Sequence, residues 1–97
     1  MHLLVTRRTI PLDRTDHYGW LWEAVRVAAL GAGLRAWRFR AADRDDRYLE
    51  FIEAPSAAAL EAPAVDAARV ALRESFAATE ESLWLEQTLP DTETRGE

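Results

Sequence analysis

The chain contains no cysteine, lysine or asparagine. Without cysteine, disulfides, thiolate nucleophiles and thiolate metal sites are excluded. Without lysine, catalysis through a Schiff base on a lysine amine is excluded as well. All twelve basic residues are therefore arginine and alanine is abundant, which we interpret as the codon bias of a GC-rich genome. Arginines selected for anion recognition would have to cluster in space, and composition alone does not show such a cluster.

Long apolar runs are also missing. No stretch approaches the ~20 residues needed to cross a bilayer. Arg7 and Arg8 follow the first apolar run, whereas a signal segment carries its basic residues first. We therefore expect a cytoplasmic protein without a membrane partner. The net charge of −5 argues against nucleic acid as the main partner, since phosphate binding requires a basic face.

Histidine is scarce, with only His2 and His17 in the chain, far apart in sequence. Because they form no closely spaced pair, we expect no specific metal site. The 97 residues leave room for one domain, and a hydrophobic content of 48% is sufficient for a core. We expect this domain to span residues 1–89 and the polar tail, residues 90–97, to be disordered.

Hydrophobic periodicity predicts six elements along the chain. They are strands at residues 2–10, 34–40, 47–53 and 83–89 and helices at residues 16–30 and 63–78. Thr15 or Asp16 is the expected cap of the first helix, and Gly31 and Gly33 are expected to end it. Ser56 is the expected cap of a short turn that precedes the second helix.

The two middle strands predict a hairpin with one register. The pairs in this register are Phe39 with Leu49, Trp37 with Phe51, and Arg38 with Glu50. A slip of one residue would lose all three pairs, each of which contributes roughly 0.2–1 kcal/mol. The alternation of aromatic and charged residues in this stretch is therefore explained by a hairpin, without a ligand.

The element order β-α-β-β-α-β is typical of the ferredoxin-like α+β fold, an antiparallel four-stranded sheet with two helices on one face. The other face of such a sheet has no helix layer, and here the strands carry apolar residues on both faces. An apolar face of this size is normally covered. We therefore predict a homodimer formed through the open sheet face.

The chain resembles the dimeric α+β barrel superfamily, which includes the antibiotic biosynthesis monooxygenase-like proteins. The resemblance is carried by the stretch DRYLEFIE, the Pro55–Ser56 break, the AALEA turn and the helix that follows. It implies two sheets packed face to face and a ligand cavity between sheet and helices. Some members oxidise aromatic polyketides without a cofactor and others degrade haem. The haem branch would require a histidine on the second helix, and residues 56–79 contain none, so we expect no cofactor.

Three residues are candidates for proton transfer: His17, Tyr48 and Glu50. A histidine at a pocket mouth is a possible general base, although a lone exposed histidine in a first helical turn has the same sequence signature. Tyr48 and Glu50 share one face of their strand. A phenol and a carboxylate in a half-dry cavity can move protons, provided that Glu50 is buried without an ion pair to Arg38.

Three further residues are candidates for substrate binding: Trp22, Trp37 and Arg38. The tryptophans would position an aromatic ligand, and Arg38 would hold a carboxylate or enolate. The competing interpretation pairs the arginines of this strand with Glu50 and Glu53. A second apolar stripe on the first helix, at Trp20, Ala24 and Val27, indicates either a partner contact or a scatter of exposed apolar groups.

Two functions follow as hypotheses. One is a cofactor-free monooxygenase or isomerase acting on a small aromatic or polyketide-like molecule. The other is a non-catalytic ligand-binding or assembly module whose apolar sheet face serves dimerisation only. A pocket of roughly 300–1,000 Å³ with convergent polar groups would favour the enzyme, and an interior filled by large side chains would favour the module.

Overall fold

The computed structural model describes residues 1–87, and it has the predicted βαββαβ order. The elements are β1 (His2–Thr9), α1 (Thr15–Gly31), β2 (Arg35–Arg40), β3 (Arg47–Ala54), α2 (Pro63–Ser75) and β4 (Glu80–Leu85). The four strands form one antiparallel sheet in the order β2-β3-β1-β4. The fold is therefore the predicted ferredoxin-like α+β fold. The polar tail at residues 90–97 lies outside the described residues.

The hairpin register is confirmed. Trp37 lies opposite Phe51, Arg38 opposite Glu50, and Phe39 opposite Leu49. The rings of Trp37 and Phe51 stack with centroids 5.4 Å apart and planes 15° apart. Because side chains alternate along a strand, this register places the aromatic pair on one face of the sheet and Arg38 with Glu50 on the other.

The start of α1 differs from the prediction. Neither Thr15 nor Asp16 caps the helix, which begins at Thr15 after a short 3₁₀ turn at Leu12–Arg14. The Thr15 hydroxyl donates instead to the Leu12 carbonyl oxygen, at 2.9 Å. The hydroxyl therefore closes the preceding turn, and the first backbone N–H groups of the helix have no side-chain cap.

The end of α1 is a Schellman motif built on Gly33. Its backbone φ of 80° is in the left-handed region that glycine adopts without strain. The Gly33 N–H donates to the Leu30 carbonyl oxygen at 3.0 Å, and the Leu34 N–H donates to the Ala29 carbonyl oxygen at 2.8 Å. This motif turns the chain directly into β2.

The second half of the chain has one confirmed cap and two shifted boundaries. The Ser56 hydroxyl oxygen accepts from the Ala59 N–H at 3.2 Å, as predicted. The helix α2 ends at Ser75, three residues early, because Phe76 is extended. Strand β4 begins at Glu80, three residues before the predicted start, and the two last residues of the predicted strand lie outside the described residues.

The hydrophobic core lies between the helices and one face of the sheet. Tyr18 and Val25 of α1 and Val65 and Leu72 of α2 are almost completely buried. They pack in one cluster with inward-facing strand residues such as Ile52. We call the opposite side of the sheet the open face. Its apolar residues are Leu3, Val5, Trp37, Phe39, Leu49, Phe51 and Trp84.

Candidate active site

A group of polar side chains is buried under the first turns of α1. We call it the polar cluster, and its members are Arg8, Tyr18, Arg38, Tyr48 and Glu50. Glu50 lies at its centre on β3, faces the helices and is only 4% exposed. Its Oε2 atom accepts a hydrogen bond from Arg8 Nε at 2.8 Å and another from the Tyr18 hydroxyl at 2.6 Å. A buried carboxylate is therefore held by two donors on a single oxygen.

Arg8 supplies the ion-pair partner of Glu50. It projects inward from β1, and both side chains are about equally buried, at 5% exposure each. A second guanidinium nitrogen, Nη1, donates to the Phe76 carbonyl oxygen just after α2. Arg8 thus joins the centre of the sheet to the end of α2, and the pair is anchored on both sides.

Tyr18 is fully buried on α1, with its ring 4.8 Å from the Tyr48 ring and 5.9 Å from the Phe76 ring. Burial raises the pKa of the Tyr18 hydroxyl far above its ordinary value, and the adjacent Glu50 carboxylate raises it further. Ionisation would place a second negative charge beside Glu50 in a region that excludes water. Tyr18 is therefore a protonated hydrogen-bond donor at physiological pH.

Arg38 reaches the polar cluster from the edge strand β2. Its guanidinium carbon lies 4.9 Å from the centroid of the Tyr18 ring and 5.5 Å from that of the Tyr48 ring, within the range of cation–π contacts. Its Nη1 atom is buried and has no hydrogen-bond partner among residues 1–87. Arg38 thus contributes a positive charge whose hydrogen-bonding capacity is only partly used.

The ion pair considered between Arg38 and Glu50 is absent from the described residues, although the two lie directly opposite each other. Arg8 occupies the Glu50 carboxylate instead, because it projects from the central strand and approaches from beneath α2. The pairing considered for Glu53 does form, with Arg35 Nη1 at 3.3 Å. Arg35 and Glu53 lie on the open face, where water screens them.

Of the six residues predicted for the site, three meet in the polar cluster: Arg38, Tyr48 and Glu50. His17 is exposed on the first turn of α1, with its ring 5.5 Å from that of Phe76. Trp22 is buried in the core one turn after Tyr18. Trp37 lies on the open face, on the other side of the sheet. The two tryptophans are therefore not brought together.

Sequence reasoning did not find Arg8 or Tyr18 as members of the site. Tyr18 is at helical spacing from Trp22 and Val25, a pattern that predicts its burial but not where its hydroxyl points. Arg8 did give a signal, because it shares the alternation of Leu4, Thr6 and Ile10, all of which face inward. A charged residue at an inward position implies a buried partner.

The region between the helices and the sheet is filled by the rings of Tyr18, Trp22 and Tyr48. Hollows occur at the surface instead. One of about 270 Å³ lies on the open face, where Leu3, Trp37 and Trp84 line it. Among residues 1–87, no group of three or more His, Asp or Glu side chains is arranged to hold a metal ion. In the same part of the chain, no helix is both long and apolar enough to cross a membrane.

The fold is similar to that of solved structures described as antibiotic biosynthesis monooxygenases, which is the fold that the sequence resemblance implied. SnoaB, a cofactor-independent oxygenase from Streptomyces nogalater, is 22% identical with a TM-score of 0.72, over 93% of this chain and 97% of SnoaB. An antibiotic biosynthesis monooxygenase is 15% identical with a TM-score of 0.67, over 93% of this chain and 100% of that one.

A conserved protein from Methanosarcina mazei is 9% identical with a TM-score of 0.73, over 89% of this chain and 92% of that one. At these identities the likeness is one of fold. No protein-family model and no curated protein matches the chain. Any assignment of chemistry therefore depends on the residues of the polar cluster.

Proposed function

We propose that this chain is a cofactor-independent monooxygenase that acts on a small aromatic or polyketide-like molecule at the polar cluster. The observation that carries the proposal is the Glu50 carboxylate. It is buried, and both of its donors bind Oε2. We assign its other oxygen as the proton acceptor, on the face of the sheet that Glu50 shares with Arg38. A solved structure of the same fold is described as a cofactor-independent oxygenase, which is consistent with this assignment.

The chemistry requires an activated methylene in the substrate. Glu50 takes a proton from carbon and leaves a delocalised carbanion, which Arg38 stabilises. The carbanion is oxidised by O₂, a C–O bond forms, and the peroxide anion takes the proton back from Glu50. The hydroperoxide then loses its remaining C–H proton and hydroxide, which combine as water. The balance is R₂CH₂ + O₂ → R₂C=O + H₂O, and no cofactor is consumed.

The remaining residues have supporting roles in this proposal. Arg8 and Tyr18 are positioning residues that fix Glu50 in one rotamer. The Tyr48 hydroxyl is the candidate donor to the reduced oxygen. His17, which contacts Phe76 at the surface end of the cluster, is the candidate for proton exchange with solvent. Trp22 would form a wall for an aromatic ligand, whereas Trp37 could touch only a ligand bound across the open face.

The test is oxygen consumption with a panel of hydroxylated aromatics that contain an acidic methylene, anthrone among them. Glu50→Gln removes the base but keeps an acceptor for the Tyr18 hydroxyl, and Tyr48→Phe alters the cluster without removing a charge. Both should lose at least about a hundredfold in kcat, in line with the loss of an acid–base group. Glu53→Gln, on the same strand but the open face, is the control. Turnover by folded Glu50→Gln at the wild-type rate would overturn the proposal.

We also infer that the active form is a homodimer covered at the open face. Phe39 is 59% exposed and Trp84 60% exposed on that face, and Trp37 and Phe51 are only partly covered. A standard interface buries about 800 Å² per partner. Burial of the apolar part of that area contributes of order 20 kcal/mol for both partners, against an association cost of about 4–15 kcal/mol. Light scattering should give about twice the chain mass of 11.0 kDa.

The second candidate function is a non-catalytic ligand-binding or assembly module. The filled space between helices and sheet favours it, because a substrate would have to displace side chains to reach Glu50. In that case the polar cluster only fastens α1 and α2 to the sheet. Oxygen consumption distinguishes the two functions. An assembly module would form the dimer but consume no oxygen with any compound of the panel.

A further inference from the structure

Arg38 has an unused hydrogen-bonding group in a place where such groups are normally satisfied. A guanidinium carries five N–H donors and cannot be deprotonated in a protein. In Arg38 the flat face is occupied by the rings of Tyr18 and Tyr48, while Nη1 is buried without a partner among residues 1–87. A buried donor without a partner is costly, so the arrangement favours a group that supplies an acceptor.

Among residues 1–87, Arg38 forms no ion pair with a carboxylate. The polar cluster contains two arginines and one carboxylate, and Arg8 occupies that carboxylate at 2.8 Å. Glu23, one turn beyond Gly19 on α1, is engaged by Arg26 through hydrogen bonds of 2.6 and 3.0 Å. Those hydrogen bonds lower the pKa of the Glu23 carboxyl, and the charge of Arg38 also helps to lower it. The charge of Arg38 is therefore only partly balanced, and an added oxyanion would be attracted to it.

The position of Arg38 makes it accessible to a ligand. It is half-buried, whereas Arg8 and Glu50 are enclosed. It projects from β2, which pairs with β3 and is an edge of the sheet formed by the described strands. Its Nη2 atom packs against Gly19 of α1, since a Cβ atom built at that glycine would lie 3.7 Å from Nη2, an ordinary van der Waals contact. Because Arg38 is only half-buried, a ligand would reach it from the solvent side of the edge strand.

We infer that the ligand of this site carries a planar oxyanion, a carboxylate or an ionised phenol or enol, that binds Arg38. A carboxylate matches the fork of a guanidinium with its two oxygens, and the single oxygen of a phenolate or enolate forms a charge-assisted hydrogen bond with it. The inference deepens the proposed function, on which it rests for the identity of the site. It narrows the substrate class to aromatic acids or phenols that bind in the ionised form.

The first experiment measures binding by calorimetry at low ionic strength, with benzoate and with its neutral counterpart benzamide. It does not depend on oxidation of either compound. Wild type should bind benzoate about tenfold more tightly than benzamide, or better. Arg38→Met should remove that preference. Arg40→Met, two residues along the same strand and the same face but exposed, is the matched control and should keep it. Circular dichroism confirms that each variant is folded.

The second experiment separates the two sources of the oxyanion. Binding of 4-nitrophenol is followed by its absorbance above and below its own pKa. If the site accepts phenolates, wild type should bind 4-nitrophenolate more tightly than neutral 4-nitrophenol, and Arg38→Met should not show this preference. If the site is selective for carboxylates, wild type should bind benzoate but neither form of 4-nitrophenol. Equal affinity for benzoate and benzamide, or a preference that survives in Arg38→Met, would overturn the inference. If anions bind through Arg38 but no compound is oxidised, the proposed oxygenase fails and the anion site stands.

Discussion

The two faces of the sheet are built from the same strands but differ in the kind of side chain that they present. On the helix-facing side, the strands present buried aliphatic residues together with a carboxylate, Glu50, whose donors come from β1 and α1. On the open face, the same strands present Trp37, Phe39 and Phe51, which pack mainly on one another. One face holds the paired charges of Arg8 and Glu50 out of water, and the other leaves apolar surface in contact with water.

This difference shows where stability and association are encoded. Polar groups on the helix-facing side are costly unless every partner is present, so that side specifies one arrangement of helices on the sheet. The open face specifies no such arrangement within the chain, and its apolar area is available for a second molecule. Substitutions on neighbouring residues of one strand should therefore have different consequences, depending on which face they touch.

The largest effect is expected at the buried ion pair. Glu50→Ala leaves the Arg8 guanidinium buried without its counter-ion and should lower the free energy of unfolding by about 3–5 kcal/mol. Glu53→Ala removes a partly exposed carboxylate from the open side of the same strand and should cost at most about 1 kcal/mol. Urea denaturation of both variants measures the contrast. Equal losses would mean that the two faces do not differ as described.

The next comparison uses adjacent residues of β3. Ile52 is buried against the helices, and Ile52→Ala should cost about 2–5 kcal/mol at any protein concentration. Phe51 points to the open face, so the cost of Phe51→Ala should depend on protein concentration if the face is a dimer interface. Unfolding measured at several concentrations distinguishes the two. Concentration-independent stability in wild type and in Phe51→Ala would contradict a dimer through this face.

The charge variant Phe51→Asp tests the same interface directly. A buried unpaired carboxylate is strongly unfavourable, so the variant should be a monomer of 11.0 kDa or aggregate. Ala71→Asp, at an exposed position of α2, adds the same charge and is the control, which should leave the mass unchanged. Light scattering reads both. If Phe51→Asp is still a dimer, the dimer interface does not include the open face around Phe51.

A feature of the fold could be predicted from the sequence when the residues that determine it are close together in the chain. The alternation of aromatic and charged residues in β2 and β3 determines the register of the hairpin, because the three complementary pairs form in only one alignment of the strands. The start of β4 could not be found in this way, since Glu80 and Glu81 have low strand propensity. They are strand residues because of distant partners: Arg7 pairs with Glu80 at 3.1 Å, and the Thr6 hydroxyl donates to Glu81 at 2.8 Å.

Three members of the polar cluster could be predicted from the sequence and two could not, again because some contacts join residues that are distant in the chain. Tyr48, Glu50 and Arg38 share one face of a local hairpin, so the register alone brings them together. Arg8 is 42 residues from Glu50 in sequence, and nothing near it indicates which carboxylate it meets. The helical period predicts that Tyr18 is buried but does not predict the direction of its hydroxyl. Tertiary packing decides these contacts.

A smaller effect is expected from the raised pKa of Tyr18. Because the folded state holds this hydroxyl protonated, the native pKa exceeds the unfolded value of about 10. The contribution is therefore complete below that value and decreases as pH rises above it, by at most about 1.4 kcal/mol per pH unit. Unfolding measured at pH 8 and pH 10.5 should show a larger loss in wild type than in Tyr18→Phe. Parallel losses would mean that Tyr18 ionises normally in the folded protein.

The smallest effect concerns the ion pair between Arg35 and Glu53 on the open face, and it reports whether that face meets water. In a free monomer the 3.3 Å pair is screened, and a double-mutant cycle with Arg35→Ala and Glu53→Ala should give a coupling of about 0.2–1 kcal/mol that vanishes in high salt. Under a partner subunit the same pair would lose solvent, so its coupling should grow and resist salt. The cycle is measured by urea denaturation at two protein concentrations and two salt concentrations. A coupling that stays small and salt-sensitive in the dimer would place Arg35 and Glu53 outside the covered area and confine the interface to the aromatic residues around Phe51.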